Sequence, residues 1–217
     1  MTTKKIFLPV LIGILAISAA ACGNKQGEEQ TGSVEEEEQN QSTYSNSIFL
    51  GDSVLDGLAE VLDDSRVISN AGATAQFAIE EVDQIVDKKP QDIFIMLGSD
   101  DILMPVDNPT EHSMTHYTEL IEKLKEELPN VKIHVLSVTP VTEGAIKKEP
   151  RYKNIPDYNE ALKDMTAAEK VDYIDLSPLF NNHQNLHADD GIHLKADFYP
   201  LLLDYIKKHS NIDEEDA

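Results

Sequence analysis

The sequence predicts an α/β fold, a parallel sheet with helices on both faces. Two observations lead there. Short apolar runs read as buried strands, and amphipathic helical patterns separate them, so that strand and helix alternate five times between residues 46 and 210. At 217 residues the chain is also long enough for one domain with a full core.

In chain order, the strands are expected at Ile48–Leu50, Val67–Ser69, Ile93–Leu97, Lys132–Val138 and Tyr173–Leu176. The helices are expected at Val54–Leu62, Ala75–Asp87, Thr110–Leu128, Asp157–Glu169 and Phe198–His209. The third helix is the most clearly marked. Tyr117, Leu120, Ile121, Leu124 and Leu128 fall on one face, Glu119 and Lys123 form an i,i+4 pair, and Pro109 and Pro129 bound it. In such sheets ligands bind beyond the carboxyl ends of the strands. Ser53, Gly72 and Gly98 are all expected to emerge there.

Gly51-Asp52-Ser53 follows the first strand directly, and Asp190-Gly191-Ile192-His193 lies far downstream. A serine is a weak nucleophile unless a base takes its proton, and the base needs a partner that orients it. Ser53 as nucleophile, His193 as base and Asp190 as orienter fit that requirement. The alternative is a plain turn and helix cap, where Asp and Ser are common. Asp52 is expected to be structural, holding the turn that carries Ser53.

These blocks resemble the SGNH (GDSL-like) hydrolase family over about residues 46–208. Gly51-Asp52-Ser53 is similar to the block carrying the nucleophile. Gly72, in Asn70-Ala71-Gly72-Ala73-Thr74, is similar to the glycine that lends a backbone N–H to the oxyanion hole. Gly98-Ser99-Asp100-Asp101 occupies the place of Gly-x-Asn-Asp, and Asp190-Gly191-Ile192-His193 that of Asp-x-x-His. The resemblance implies a three-layer α/β/α sandwich with a five-stranded parallel sheet, flavodoxin-like in plan. It also implies ester hydrolysis without metal or cofactor, with an oxyanion hole formed by Ser53, Gly72 and the residue at Asp100. Many members of that family remove acetyl or other acyl groups from carbohydrates or lipids, and some transfer them.

Asp100 departs from the pattern. An ionised aspartate has no hydrogen to donate and adds negative charge beside a developing oxyanion. Losing one such donor costs about 2.7–4 kcal/mol. Three readings stay open: a protonated Asp100 that donates as asparagine does, a hole built on the Ser53 and Gly72 N–H groups, or a protein that binds without cutting.

Residues 1–21 read as a secretory signal: Lys4 and Lys5 precede an apolar run that ends in Ala19-Ala20-Ala21. Cys22, the only cysteine, follows at once and resembles the lipidated cysteine of bacterial lipoproteins, although Ala19 stands where leucine is commonest. The other reading is an ordinary signal with a chance cysteine. Residues 22–45 are expected to be a lipidated start and a disordered acidic tether, 46–210 the hydrolase-like domain, and 211–217 an acidic tail. The formal charge is −22, and without Lys4 and Lys5 it is −24. That argues against nucleic acid as a partner and makes any membrane attachment depend on the lipid at Cys22.

Other candidates carry less. His112 and His116 are four apart on the third helix, and His183, His187, Asp189 and Asp190 share a loop, but neither set has a recognised metal spacing. Tyr44, Tyr152 and Tyr199 are possible cleft residues. The expected activity is that of an extracytoplasmic serine esterase on a small acyl ester or an acylated glycan or lipid. The alternatives are a cell-envelope glycan O-acyltransferase and a non-catalytic binding module.

Overall fold

Strands β1 (Ser47–Gly51) and β3 (Asp92–Met96) are buried at every position, as a sheet covered on both faces demands. In the computed structural model, which describes residues 39–183, 185–210 and 212, they form the centre of a five-stranded parallel sheet. Its other strands are β2 (Val67–Ser69), β4 (Lys132–Leu136) and β5 (Asp172–Ile174), in the order β2-β1-β3-β4-β5. The strand order reverses between β1 and β3, and the crevice at such a switch point is where ligands bind.

Alternation along the strands builds two cores. Ile48, Leu50, Ile93, Ile95 and Val135 face one side, against α2 (Ala75–Ala78), α3 (Val82–Lys88), α4 (Pro109–Glu127) and α6 (Ile155–Glu169). Phe49, Phe94, Met96 and Leu136 face the other, against a 3-10 helix at Ser53–Glu60 and α8 (Phe198–Ser210). The result is the expected three-layer sandwich. In α4, Tyr117, Leu120, Ile121 and Leu124 are all fully buried, Asn108 caps the start beside Pro109, and Lys123 pairs with Glu119 at 3.2 Å.

The helices differ from expectation in detail. The first is a 3-10 helix, since Ser53, Asp56 and Gly57 favour α-helix weakly. The second breaks at a 3-10 turn over Ile79–Glu81, between the short α2 and α3. Two short α-helices were not expected, α5 (Glu143–Lys148), capped by Thr142, and α7 (Ser177–Asn182), with proline in its first turn, nor were the 3-10 turns at Asp64–Arg66, Asp101–Leu103 and Pro150–Asn154.

The domain also begins earlier than residue 46. Residues 39–43 are helical (α1), inside the span expected to be a tether. Tyr44 follows it into the core, 1 % exposed, packed edge-on to Phe49 and Phe94 and donating its hydroxyl to Leu203 O at 2.6 Å. At the far end Ile212, within the expected tail, packs partly buried against the same core. The segments expected as signal and lipidated cysteine, residues 1–22, lie outside the described residues.

One polar link joins the carboxyl ends of the two central strands. Asp52 accepts the Val54 N–H at 2.9 Å, which caps the 3-10 helix, and the Ser99 hydroxyl at 2.6 Å, which ties β1 to the loop after β3. Burial pushes the Asp52 carboxyl up to about 6, against the pull of those two donors.

Two outcomes follow for stability. Tyr44→Ala lowers the unfolding free energy by about 3–5 kcal/mol, as for other buried aromatic truncations, measured by urea denaturation; an unchanged midpoint would place Tyr44 outside the domain. Because its folded pKa is raised, ionising Asp52 removes stability as pH rises from its unfolded value of 3.8 through about 6. Asp52→Asn therefore gains stability relative to the parent between pH 3 and pH 7, by up to about 3 kcal/mol; a difference independent of pH would refute the buried titration.

Candidate active site

Four chain segments meet beyond the carboxyl ends of the strands. Ser53 opens the 3-10 helix directly after β1, half-buried on the Asp52 cap. Gly72 follows β2, the loop Gly98–Asp101 follows β3, and the loop Gly191–His193 precedes α8. The structure brings together the three residues expected to do chemistry. Ser53 Oγ stands 2.9 Å from His193 Nε2, and His193 Nδ1 stands 2.5 Å from Asp190 Oδ2.

Asp190 does two jobs with its two oxygens. Oδ1 accepts the backbone N–H groups of Ile192 at 2.9 Å and His193 at 3.0 Å, which shapes the turn. Oδ2 faces the imidazole and selects the tautomer with its hydrogen on Nδ1, leaving Nε2 free to accept from Ser53. The His193 hydrogen bond draws the Asp190 carboxyl down to about 2, so Asp190 stays ionised at any working pH. Both side chains are nearly half exposed, at 45 % and 46 %, so the imidazole is reachable from solvent.

The loop carrying this pair is fastened to the end of β4. Thr142 N donates to Gly191 O at 2.9 Å, and His187 Nε2 donates to Pro140 O at 2.7 Å. Gly191 has φ of +79°, and a Cβ there would stand 2.0 Å from Thr142 Oγ1, so no larger residue fits without moving the loop. Neither Thr142 nor His187 was expected in this role. His187 bears instead on the proposed loop cluster: its ring is committed to Pro140, and among the described residues no group of three or more His, Cys, Asp or Glu side chains is placed to hold a metal.

Gly72 sits in a turn closed by Ala73 N donating to Asn70 O at 3.0 Å. Its φ is +78°, and the space where a Cβ would stand is open within 4 Å. The Gly72 backbone is therefore uncovered on the side where a side chain would stand. Asp100 stands across from it, half-buried. Burial holds the Asp100 carboxyl above the usual carboxylate range, against His193 and the Gly72 N–H, which both favour its ionised form. The ionised carboxyl and an oxyanion thus compete for one donor. Next to it Asp101 is fully buried and structural: it accepts Ser113 Oγ at 2.6 Å and Ala75 N at 3.1 Å, fixing the start of α2 behind Gly72.

The three candidate tyrosines, Tyr44, Tyr152 and Tyr199, are all core residues. Tyr199 donates to Val54 O at 3.0 Å. The Tyr152 hydroxyl is pushed up by burial and by the charges of Asp100 and Asp52. His112 and His116 pack ring against ring at 4.6 Å on α4, and His112 meets Gln76.

The fold is shared with solved structures. A GDSL-like lipase from Bacteroides thetaiotaomicron matches with a TM-score of 0.62 at 15 % identity, over 85 % of this chain and 97 % of that one. A lipase/acylhydrolase from Enterococcus faecalis matches with 0.59 at 15 %, over 75 % and 93 %. A variant of an acetyl-xylooligosaccharide esterase from Geobacillus stearmophilus matches with 0.56 at 17 %, over 75 % and 92 %. Comparison with curated proteins gives no match. A family model matches residues 49–201, which span Ser53, Gly72, Asp100, Asp190 and His193, and the chain belongs to the GDSL-like lipase/acylhydrolase family.

Proposed function

We propose that the protein is a serine esterase that hydrolyses a small acyl ester by way of an acyl-enzyme. The observation that carries this reading is the continuous chain Ser53 Oγ, His193, Asp190, at 2.9 and 2.5 Å. Ser53 Oγ attacks the ester carbonyl carbon while His193 Nε2 takes its proton. The carbonyl oxygen gains the negative charge and meets the Gly72 N–H. When the tetrahedral species collapses, the alcohol leaves with the proton from His193, and the acyl group stays on Ser53. A water, deprotonated by His193, then attacks the acyl carbon, and Ser53 recovers its proton as the acid departs. Asp190 stabilises the imidazolium at both stages without itself taking a proton.

An acetyl group on a carbohydrate or lipid is the acyl ester we favour, supported by the acetyl-esterase activity named for one of the fold relatives. A second reading, that of a non-catalytic binding module, draws on one observation, the Asp100 carboxyl facing the Gly72 N–H. We further place the protein outside the cell, held to a membrane by lipid on Cys22; the support is the basic, apolar and small-residue pattern of residues 1–22. Metabolic labelling with a palmitate analogue is then expected for the parent and absent from Cys22→Ala.

Two measurements decide between enzyme and module. A fluorophosphonate probe should label the folded parent and not Ser53→Ala, because only an activated hydroxyl reacts; an unlabelled parent across pH 5–8 would favour the module. Asp100→Asn supplies a permanent donor, so kcat/KM on a small acyl ester rises, by as much as 10²–10³-fold where Asp100 is fully ionised. Since burial raises the Asp100 pKa, the parent carries more of the protonated, donating form in acid. The ratio of variant to parent therefore grows from pH 5 to pH 8. A constant ratio, or a slower variant, would remove Asp100 from the hole.

A further inference from the structure

Beside Gly72 lies a cavity of about 190 Å³, open at one side, lined by Gly51, Ala71, Phe77, Glu80 and Glu81 among others. Gly72 itself is part of its lining, so a group carried by an ester bound at Ser53 and Gly72 can reach it. At that size it is smaller than the roughly 300–1,000 Å³ of a drug-sized pocket, and it suits a compact head group rather than a chain of sugar rings.

Its chemistry is unusual for this surface. Phe77 on α2 is 57 % exposed, one of two large hydrophobic residues so exposed among the described residues. The Glu81 carboxylate is held at the pocket by two amides, accepting Asn70 Nδ2 at 3.2 Å with one oxygen and Gln84 Nε2 with the other. No lysine or arginine lines the cavity, and among the described residues no ion pair is seen to Glu80 or Glu81. An aromatic side chain, a fixed carboxylate at Glu81 and a second, exposed one at Glu80 together favour a weakly hydrated cation, through the ring quadrupole and through charge. The formal charge of −22 adds attraction at longer range and disfavours an anionic head in the same place.

We propose that this pocket seats an ammonium group carried by the ester substrate, with Phe77 against its methyl or methylene groups and Glu81 supplying the counter-charge. The proposal rests on the esterase reading, since it places the head group relative to Ser53 and Gly72. It sets the substrate class as a cationic ester, on either the acyl or the alcohol side of the bond.

Isosteric pairs that differ by the charge alone test it: acetylcholine against 3,3-dimethylbutyl acetate for the alcohol side, and betaine ethyl ester against ethyl 3,3-dimethylbutanoate for the acyl side. Each kcat/KM is corrected for the uncatalysed rate. In one pair the cation is expected to be preferred by about tenfold or more, and Phe77→Ala and Glu81→Gln should each lower that preference at least about threefold. No cation preference in either pair, or a preference that both variants retain, overturns the pocket. A second readout does not need turnover. Tetramethylammonium, titrated into Ser53→Ala, should shift the amide resonances of α2, and Phe77→Ala added to that variant should abolish the shifts. Shifts without hydrolysis of any ester by the parent would support the pocket and sink the esterase reading; hydrolysis without preference or shifts would do the reverse.

Discussion

A sheet of parallel strands buried on both faces has no free surface of its own for chemistry. Its side chains are spent on two cores, one built on Ile48, Leu50, Ile93 and Ile95 and the other on Phe49, Phe94 and Met96. Its backbone is committed to the ladders from Ser47↔Asp92 to Gly51↔Met96. Only the loops at the strand ends remain. Three of the four segments that meet at the site are such a loop, or the start of the helix after one; the fourth, with His193, lies between α7 and α8. The Asp52–Ser99 link matters for that reason. It joins the two strands between which the order reverses, and it fixes the first turn of the helix on which Ser53 sits.

The site mixes parts held by the sheet with a part held at one remove. Ser53, Gly72 and Asp100 follow strands by a few residues. His193 does not, and its loop leans on the end of β4 through Thr142 and His187. The His193 loop is thus placed by hydrogen bonds to the loop after β4 together with the burial of Leu194 beside it, while Ser53 is placed by a buried cap. The same contrast separates the two neighbouring aspartates. Asp101 is satisfied by Ser113 and Ala75 and serves the fold, whereas Asp100 points at the Gly72 N–H and at His193.

Much of this was legible in the residues. Five strands, the long amphipathic α4 and the terminal α8 carry periodic apolar patterns that local physics alone interprets. Ser53, Asp190 and His193 stood out because serine chemistry needs those three types together. Other parts had no comparable signal. α5 and α7 are six residues each, too short to show a period. Tyr44 sits beside a polar, acidic stretch and joins the core through one hydroxyl and ring contacts that only the folded chain supplies. Thr142 and His187 act through contacts about fifty residues apart in sequence, Thr142 with Gly191 and His187 with Pro140. Phe77 was legible as helical but not as exposed, because exposure is decided by how α2 packs in the folded chain.

The place where Tyr44 enters the core has a geometric consequence. Asn46 and Gln91 meet just before β1 and β3, Gln41 reaches Asp63 just before β2, and Thr43 meets Lys207 near the end of α8. All of these lie at the amino edge of the sheet. The chain therefore approaches the domain from the pole opposite Ser53. A bead, a fusion partner or a surface attached close to residue 39 would hold the molecule by its base. The face carrying Ser53 would then point outward, so that immobilisation there keeps it open to large molecules, and attachment near the loops of β1 and β3 does not.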